Sequence, residues 1–157
     1  MIVGIDPGLN GGITVLSKKG KLMGSYVMPI VVYKKKKDLD INALCRLFLI
    51  INPEVVVIEK QQAMPGQGVS SMFKIGKGYG ILLGLCAGLK INTELVSPKA
   101  WQKVMFAGHT VTNTKETSRE VAKDIFNVEF LKTDRCSIPH DGMTDSALIA
   151  EWYRRGG

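Results

Sequence analysis

Short apolar runs separated by turn residues predict three β-strands in the first 28 residues. The first strand covers residues 2–5 and runs into the turn sequence Asp6-Pro7-Gly8. The second covers residues 13–16, and the third covers about 22–28 after a lysine-rich turn that contains glycine. Because connections this short join neighbouring strands in opposite directions, the three strands should be antiparallel.

The rest of the pattern alternates helices with two more strands. Asp38 is the predicted N-cap of a helix that Asn52-Pro53 ends. Residues 55–58 are continuously apolar, which is typical of a strand covered by helices on both faces, and a fifth strand is predicted near 93–96. The later helices are predicted at about 71–89, 98–106, 113–126 and 141–154. Written as β-β-β-α-β-α-β-α-α, the order predicts one α/β domain over 1–157, a mixed five-stranded sheet flanked by helices.

Composition narrows the class of partner and the compartment. The 157 residues include 21 Lys and Arg against 14 Asp and Glu, a net charge of +7. That excess favours a polyanionic partner such as nucleic acid, although many basic proteins of this size bind none. No apolar run approaches the ~18 residues that span a membrane.

The cysteines indicate a reducing compartment. The chain has three, Cys45, Cys86 and Cys136, which are too few and too widely spaced for a disulfide framework or a zinc site. We expect the cytoplasm, including a host cytoplasm, and leave an organelle matrix or stroma open.

Four acidic residues stand where the predicted elements begin or end. Asp6 follows the first strand and Glu59 follows the fourth, so neighbouring strands would bring both to one edge of the sheet. Asp141 and Asp145 are one turn apart at the start of the last helix. Carboxylates gathered in this way repel one another unless cations lie among them, and oxygen ligands select Mg²⁺ or Mn²⁺. Two such ions support phosphodiester hydrolysis.

Each acid also has a simpler explanation. Asp6 could serve only as a turn residue, and Asp141 and Asp145 could serve only as favourable charges in the first turn of a helix. Glu59 is the hardest to explain in this way, because a buried carboxylate after an apolar strand costs free energy. Since all four positions fit one geometry, we favour their joint role as catalytic metal ligands.

Three motifs carry a resemblance to a known family: Ile5-Asp6-Pro7-Gly8, Val57-Ile58-Glu59-Lys60-Gln61, and His140-Asp141-Gly142-Met143-Thr144-Asp145-Ser146-Ala147-Leu148. With them the chain resembles the RuvC-like Holliday junction resolvases of the RNase H-like superfamily. Phe73-Lys74-Ile75-Gly76 and Val96-Ser97-Pro98-Lys99-Ala100-Trp101-Gln102-Lys103 are most similar to the plant organellar members, as is Lys115-Glu116 followed by Ser118-Arg119. The resemblance runs through nearly the whole chain.

The resemblance implies a fold, an activity and a ligand set. The fold is RNase H-like, and the activity is a structure-selective DNA endonuclease that resolves four-way junctions by symmetric nicks from a homodimer. Asp6, Glu59, Asp141 and Asp145 match the family's metal-binding acids, which hold two Mg²⁺ ions that Mn²⁺ can replace. Some members have His where Asp141 falls, so His140 competes with it as the fourth ligand.

DNA-binding residues are predicted from both charge and resemblance. The resemblance places Lys103 and Lys115 near the scissile backbone, and either, with Lys115 favoured as a catalytic residue, could steady the phosphate in the transition state. The run of lysines after the third strand, Lys34, Lys35, Lys36 and Lys37, could contact phosphates or form only a solvated loop. Bacterial members carry an aromatic wedge where this chain has Gln62, so Met64 or Phe73 is expected to open the junction instead.

Glycines recur at every fourth position of the long predicted helix. Gly76, Gly80, Gly84 and Gly88 would each cost about 1 kcal/mol in a helix interior, which suggests that another backbone approaches closely. We favour packing of this stripe against the sheet and leave a partner helix open.

Other functions fit parts of the pattern. A nuclease of the same fold could act on other branched DNA or RNA, and a junction-binding protein without catalysis would tolerate loss of any one acid. The stretch from Gly4 to Gly12 also resembles the phosphate loop of actin-like ATPases and sugar kinases. Those proteins need a second domain and many more residues, so no nucleotide cofactor is expected.

Overall fold

The computed structural model describes residues 1–62, 65–134 and 136–157. In chain order the elements are β1 (Ile2–Asp6), β2 (Gly12–Leu16), β3 (Leu22–Val27), β4 (Ile30–Tyr33), β5 (Lys36–Leu39), α1 (Ile41–Ile51), β6 (Val55–Glu59), α2 (Val69–Gly88), β7 (Asn92–Val96), α3 (Pro98–Met105), α4 (Thr114–Ile125) and α5 (Asp141–Arg154). A short 3-10 helix, Val128–Leu131, lies between α4 and α5. No helix in the described ranges is long and apolar enough to cross a membrane.

The predicted five-stranded mixed sheet is confirmed. Its strand order is β3-β2-β1-β6-β7, in which β1 pairs with β2, and β2 with β3, in antiparallel fashion. β6 lies parallel to both β1 and β7. All three helices predicted after the last strand are present, one more than the written order shows, whereas the separate β-hairpin after β3 is not part of the prediction.

The lysine run forms that hairpin and is not a loop. β4 and β5 are antiparallel, and Lys34 and Lys35 form the turn with φ values of 45° and 64°. Asp38 therefore lies in β5 and does not cap a helix. The N-cap of α1 is Asp40, whose carboxylate accepts a hydrogen bond from the Ala43 amide at 2.9 Å, so the helix begins later than predicted.

Helices cover both faces of the sheet, which explains the continuous apolar pattern of β6. Val56 and Ile58 point into the core shared with α1 and α2. Val55 and Val57 belong to the core on the opposite face, which α3, α4 and α5 complete. Since successive strand residues point to opposite faces, a strand buried on both sides favours apolar side chains at every position until it ends.

α5 lies almost directly on the backbone of β1 and β2. A Cβ atom at Gly4 would be 2.1 Å from the Ser146 carbonyl oxygen, and one at Gly12 would be 2.5 Å from the backbone of Gly142. Thr14, which is fully buried in β2, hydrogen-bonds with the Ser146 hydroxyl at 2.8 Å and donates to the Met143 carbonyl at 3.2 Å. Small residues on both elements thus fix the position of α5 on the sheet.

The glycine stripe of α2 does not pack against the sheet, so the favoured interpretation is wrong. Gly76, Gly80, Gly84 and Gly88 are exposed, and a Cβ at any of them would meet nothing within 4 Å. α2 packs on the sheet through a different face, which carries the buried side chains of Leu82 and Cys86.

The contact between α5 and the sheet predicts a sharp difference between two glycine substitutions. Gly4→Ala should lower the free energy of unfolding by about 3 kcal/mol, because the added methyl meets backbone atoms that cannot move aside. Gly88→Ala adds the same methyl in open space at the end of α2 and should not destabilise the protein. Urea unfolding of both variants measures this; equal midpoints for the two would contradict the packing described for α5.

Candidate active site

Four acidic side chains meet at one edge of the sheet. Asp6 is the last residue of β1 and Glu59 is the last residue of β6. The two strands are parallel, with Ile5 paired to Ile58, so both acids leave the sheet side by side. Asp141 is the first residue of α5 and Asp145 follows one turn later. The convergence expected from the sequence is therefore present, whereas their role as metal ligands stays a prediction.

Asp6 is at the electrostatic centre of this group. Burial at the edge of the sheet raises the pKa of Asp6 well above its ordinary value of 3.8, and the charges of Asp145, Glu59 and Asp141 raise it further. All three other acids thus act on one carboxylate. A negative charge at Asp6 is costly in the free protein and would be stabilised by a cation.

Asp145 shows the same effect from the helix side. Burial raises the pKa of Asp145 to about 6, and the charges of Glu59 and Asp141 contribute to the increase. The Ser118 hydroxyl lies close enough to lower this pKa in part, but it does not reach hydrogen-bond geometry. Oδ1 of Asp145 is buried without a hydrogen-bond partner among the described residues. Buried carboxylate oxygens are normally satisfied, so this one is available to a ligand.

Glu59 is held by a buried tryptophan. Nε1 of Trp101, in α3, donates a hydrogen bond to Oε1 of Glu59 at 2.7 Å, and the Trp101 side chain is fully buried. Burial raises the pKa of Glu59, and the hydrogen bond from Trp101 lowers it in part. Because the indole cannot turn away within the core, it fixes one oxygen of the carboxylate.

Asp141 has two basic partners on α4. Nζ of Lys115 lies 2.9 Å from one carboxylate oxygen, and a terminal guanidinium nitrogen of Arg119 lies 2.5 Å from the other. Burial alone would raise the pKa of Asp141, but the hydrogen bonds and charges of Lys115 and Arg119 lower it below its ordinary value. Asp141 is therefore the acid that most readily carries its charge.

His140 has a structural task in this arrangement. It is the N-cap of α5, and its Nδ1 accepts a hydrogen bond from the Met143 amide at 3.4 Å. The Nδ1 atom of His140 is thus directed to the start of the helix, which favours Asp141 over His140 as the fourth member of the cluster.

The group fits divalent cations in its chemistry, though its side chains are not arranged as a ligand shell. Within the described ranges, no set of three or more His, Cys, Asp or Glu residues could hold a metal ion as the side chains stand. Two of the four acids explain this, because Glu59 is bonded to Trp101 and Asp141 is paired with Lys115 and Arg119. The oxygen-only donors, the unpartnered Oδ1 of Asp145 and the raised pKa of Asp6 are what a hard cation would satisfy.

The other predicted site residues lie in different places. Lys115 contacts the cluster, whereas Lys103 lies on the exposed side of α3 beside Phe106. Phe73 is 71% exposed near the start of α2. The lysines of the hairpin, Lys34, Lys35, Lys36 and Lys37, are exposed at its tip. Met64 lies outside the described residues.

Two residues of the site were not assigned a role from the sequence. Arg119 lies one turn after Lys115 in α4, so their spacing could have indicated that both reach the same acid. Trp101 lies 42 positions from Glu59, and its hydrogen bond depends on how α3 packs beside β6. Nothing in the local sequence marks that contact.

The fold is that of RuvC and of Holliday junction resolvases. A structure described as Thermus thermophilus RuvC in complex with Holliday junction substrate matches with a TM-score of 0.66 and 16% identity, covering 99% of this chain and 95% of that one. The yeast mitochondrial Holliday junction resolvase matches with a TM-score of 0.63 and 18% identity, covering 98% of this chain and 77% of that one. The fowlpox virus resolvase with its substrate Holliday junction DNA matches with a TM-score of 0.60 and 14% identity, covering all of both chains.

No family model matches the chain, and no curated protein matches it in sequence. At the low identities of the structural matches, the comparison establishes the fold, as the sequence resemblance implied. The likeness to the plant organellar members stays a prediction.

The raised pKa of Asp145 predicts how stability depends on pH in the presence of a chelator. A carboxyl with a raised folded-state pKa stabilises the fold fully below about pH 3.8, and this contribution is lost as the pH rises through about 6. Asp145→Asn should therefore be more stable than the wild type near pH 7, by up to roughly 3 kcal/mol, with little difference near pH 4.

Chemical denaturation at several pH values measures this difference. Asp134→Asn, at an exposed acid, serves as the control and should follow the wild-type profile. Parallel profiles for the wild type and Asp145→Asn would show that the carboxylate is not destabilised by its surroundings.

Proposed function

We propose that this protein is a structure-selective DNA endonuclease that resolves four-way junctions. The observation that carries the proposal is the meeting of four carboxylates at one sheet edge, where burial and the charges of the other three raise the pKa of Asp6. The fold supports it, because the matching structures are RuvC and Holliday junction resolvases over nearly the full length of the chain. A surplus of positive charge, +7 in all, suits a DNA partner.

The proposed cofactor is a pair of Mg²⁺ ions, for which Mn²⁺ can substitute. Asp6, Glu59, Asp141 and Asp145 would hold them, because hard oxygen donors without thiolates select these ions. Ions bound there would supply a polarised water and offset negative charge on the leaving oxygen. Their binding would also remove the repulsion that now raises the pKa of Asp6 and Asp145.

The side chains around the acids have distinct proposed roles. Trp101 orients Glu59 through its hydrogen bond and acts as a positioning residue. Arg119, partly buried, keeps Asp141 charged. Lys115 is 69% exposed, so its ammonium group can also reach a phosphate of the substrate and steady the charge that develops there.

The proposed DNA contacts come from α3, the β4–β5 hairpin and the start of α2. Lys103 on α3 and the hairpin lysines 34–37 would contact phosphates, which requires only positive charge and reach. Phe73 is proposed to contact bases at the branch point, since its ring is largely exposed. Met64 stays a candidate for the same role.

A homodimer is part of the proposal, because symmetric nicks need two sites related by a two-fold axis. α2 offers a surface for it. Gly76, Gly80 and Gly84 form an exposed stripe along three turns, and a Cβ at each would meet nothing within 4 Å. A second helix could approach such a stripe closely.

We also propose that the protein works in a reducing compartment, with the cytoplasm as the first choice. Cys45, Cys86 and Cys136 are free, and burial raises the pKa of the Cys86 thiol. Such thiols persist where disulfide formation is not driven.

Removing one charge from the cluster tests the proposed activity. Asp6→Asn and Glu59→Gln should each lower cleavage of a synthetic four-way junction at least about 100-fold in Mg²⁺ or Mn²⁺, while junction binding in a chelator is retained. Glu94→Gln, at an exposed acid of the neighbouring strand β7, is the matched control and should cut as the wild type does.

Linear duplex, flap DNA and a branched RNA belong in the same assay. Equal cutting by Asp6→Asn and the wild type would exclude this site, and junction binding without any cutting in either metal would favour a binding protein. Faster cutting of another branched substrate would redefine the substrate but not the site.

The dimer surface is tested by placing a large side chain on the glycine stripe. Gly80→Leu should convert a wild-type dimer to a monomer, since the side chain would occupy the space of the approaching helix. Asn42→Leu adds a comparable apolar group to the exposed side of α1 and should not change the mass. Sedimentation velocity measures both. A wild type that sediments as a monomer, or a dimeric Gly80→Leu, would contradict this surface.

A further inference from the structure

A large cleft opens between the β4–β5 hairpin and the first turns of α2. Its volume is about 1040 Å³. One wall carries Tyr33 and lysines of the hairpin, and the other carries Phe73, Lys74 and Lys77 of α2. The loop Pro7 to Asn10, which directly follows Asp6, forms part of its lining. Through this loop the cleft adjoins β1, the strand that ends at Asp6.

The two walls are joined at their base. Lys77 forms an ion pair with Asp38 of β5, and Leu39 lies against Gly78 of α2. The amide of Asp40 donates to the Pro29 carbonyl at 3.0 Å, which closes the hairpin. The cleft is thus a preformed groove whose outer ends carry the exposed side chains.

The cleft is strongly basic. Among the described residues, five lysines line it, namely Lys34, Lys36, Lys37, Lys74 and Lys77. Asp38 is the acidic residue of the lining, and it is already paired with Lys77. Four positive charges are left to face a ligand, which favours a polyanion.

Two aromatic rings stand exposed within this basic surface. Tyr33 is 70% exposed and Phe73 is 71% exposed, although each could bury apolar area in a core. Nζ of Lys34 lies 5.4 Å from the centre of the Tyr33 ring, so the ring already attracts a cation on one face. Exposed rings among lysines are the pattern by which proteins bind unpaired nucleic acid strands, since any base can stack on a ring.

The turn of the hairpin is strained in a way that keeps lysines at the tip. Lys34 and Lys35 have φ values of 45° and 64°, a region in which Asn and Gly are favoured in two-residue hairpin turns. Each non-glycine residue held there costs about 1 kcal/mol. Positive charge at this tip is thus retained at a cost in stability.

We infer that this cleft binds an unpaired segment of nucleic acid, with bases stacked on Tyr33 and Phe73 and phosphates held by the lysines. Its volume lies just above the roughly 300–1,000 Å³ that encloses a drug-sized ligand, which suits a few nucleotides. The inference deepens the proposed function and rests on it, because the strand in the cleft would be part of the branched substrate.

Binding of a labelled single strand tests the inference without cleavage. The probe is a fluorescein-labelled oligonucleotide of about 10 nucleotides, measured by anisotropy in a chelator, with a duplex of the same sequence beside it. Tyr33→Ala and Phe73→Ala should each weaken single-strand binding about tenfold or more, with a much smaller effect on the duplex. Tyr33→Phe keeps the ring and should bind as the wild type does.

Two further variants separate stacking from charge and from folding. Lys37→Ala should reduce the salt dependence of single-strand binding by about one counterion, because one phosphate contact is lost. Phe130→Ala removes an exposed ring on the 3-10 helix and should leave binding unchanged. Wild-type single-strand affinity in Tyr33→Ala or Phe73→Ala would overturn the inference, as would equal losses for single strand and duplex.

The outcome is independent of the proposed cleavage. If the wild type cuts four-way junctions but single-strand binding does not depend on Tyr33 and Phe73, the cleft inference fails and the proposed function stands. If binding depends on both rings but no branched substrate is cut, the proposed activity fails and the cleft is a strand-binding site.

Discussion

The close contact between α5 and the first two strands determines the rest of the structure. Gly4 and Gly12 on the strands, and Gly142 on the helix, leave no room for a Cβ, so backbone meets backbone. Buried hydrogen bonds from Thr14 then fix α5 along the strand direction. This places Asp145 next to Asp6, although the two residues are separated by most of the chain. Because backbone packs directly on backbone at these glycines, the distance between the elements is fixed.

Holding the acids together in this way lowers the stability of the folded protein. Burial and mutual repulsion raise the pKa of Asp6 and Asp145, so each is more easily charged in the unfolded chain than in the folded one. The other two acids have fixed partners. Glu59 accepts a hydrogen bond from Trp101, and Asp141 is paired with Lys115 and Arg119. The unpaired acids are those that a cation would stabilise most, which is how strain at a site is coupled to a ligand.

Much of the sheet and of the acidic cluster could be predicted, because local patterns encode both. The apolar run before Glu59 and the turn after Asp6 mark strand ends, and parallel pairing then brings the two acids together. The hairpin could not be predicted, because its lysines have the composition of a solvated loop. Asp38 is acidic and precedes a helical pattern, so it resembles a helix cap although it lies in β5. The glycine stripe was assigned to the wrong side, since its period is the same whether it faces the sheet or solvent. Trp101 could not be assigned, because its contact with Glu59 is tertiary.

Opposite charges lie side by side on this protein, and their order along the surface is informative. The acids occupy the sheet edge, and the loop that follows Asp6 forms part of a groove lined by lysines. A polyanion would be attracted to the groove and repelled by the acids, so electrostatics alone would stop it short of the edge. Divalent cations among the acids would reverse the repulsion at that point only. Under the proposed function, the lysines therefore bind the strand whether or not metal is present, whereas the acids admit its phosphate only when cations are bound.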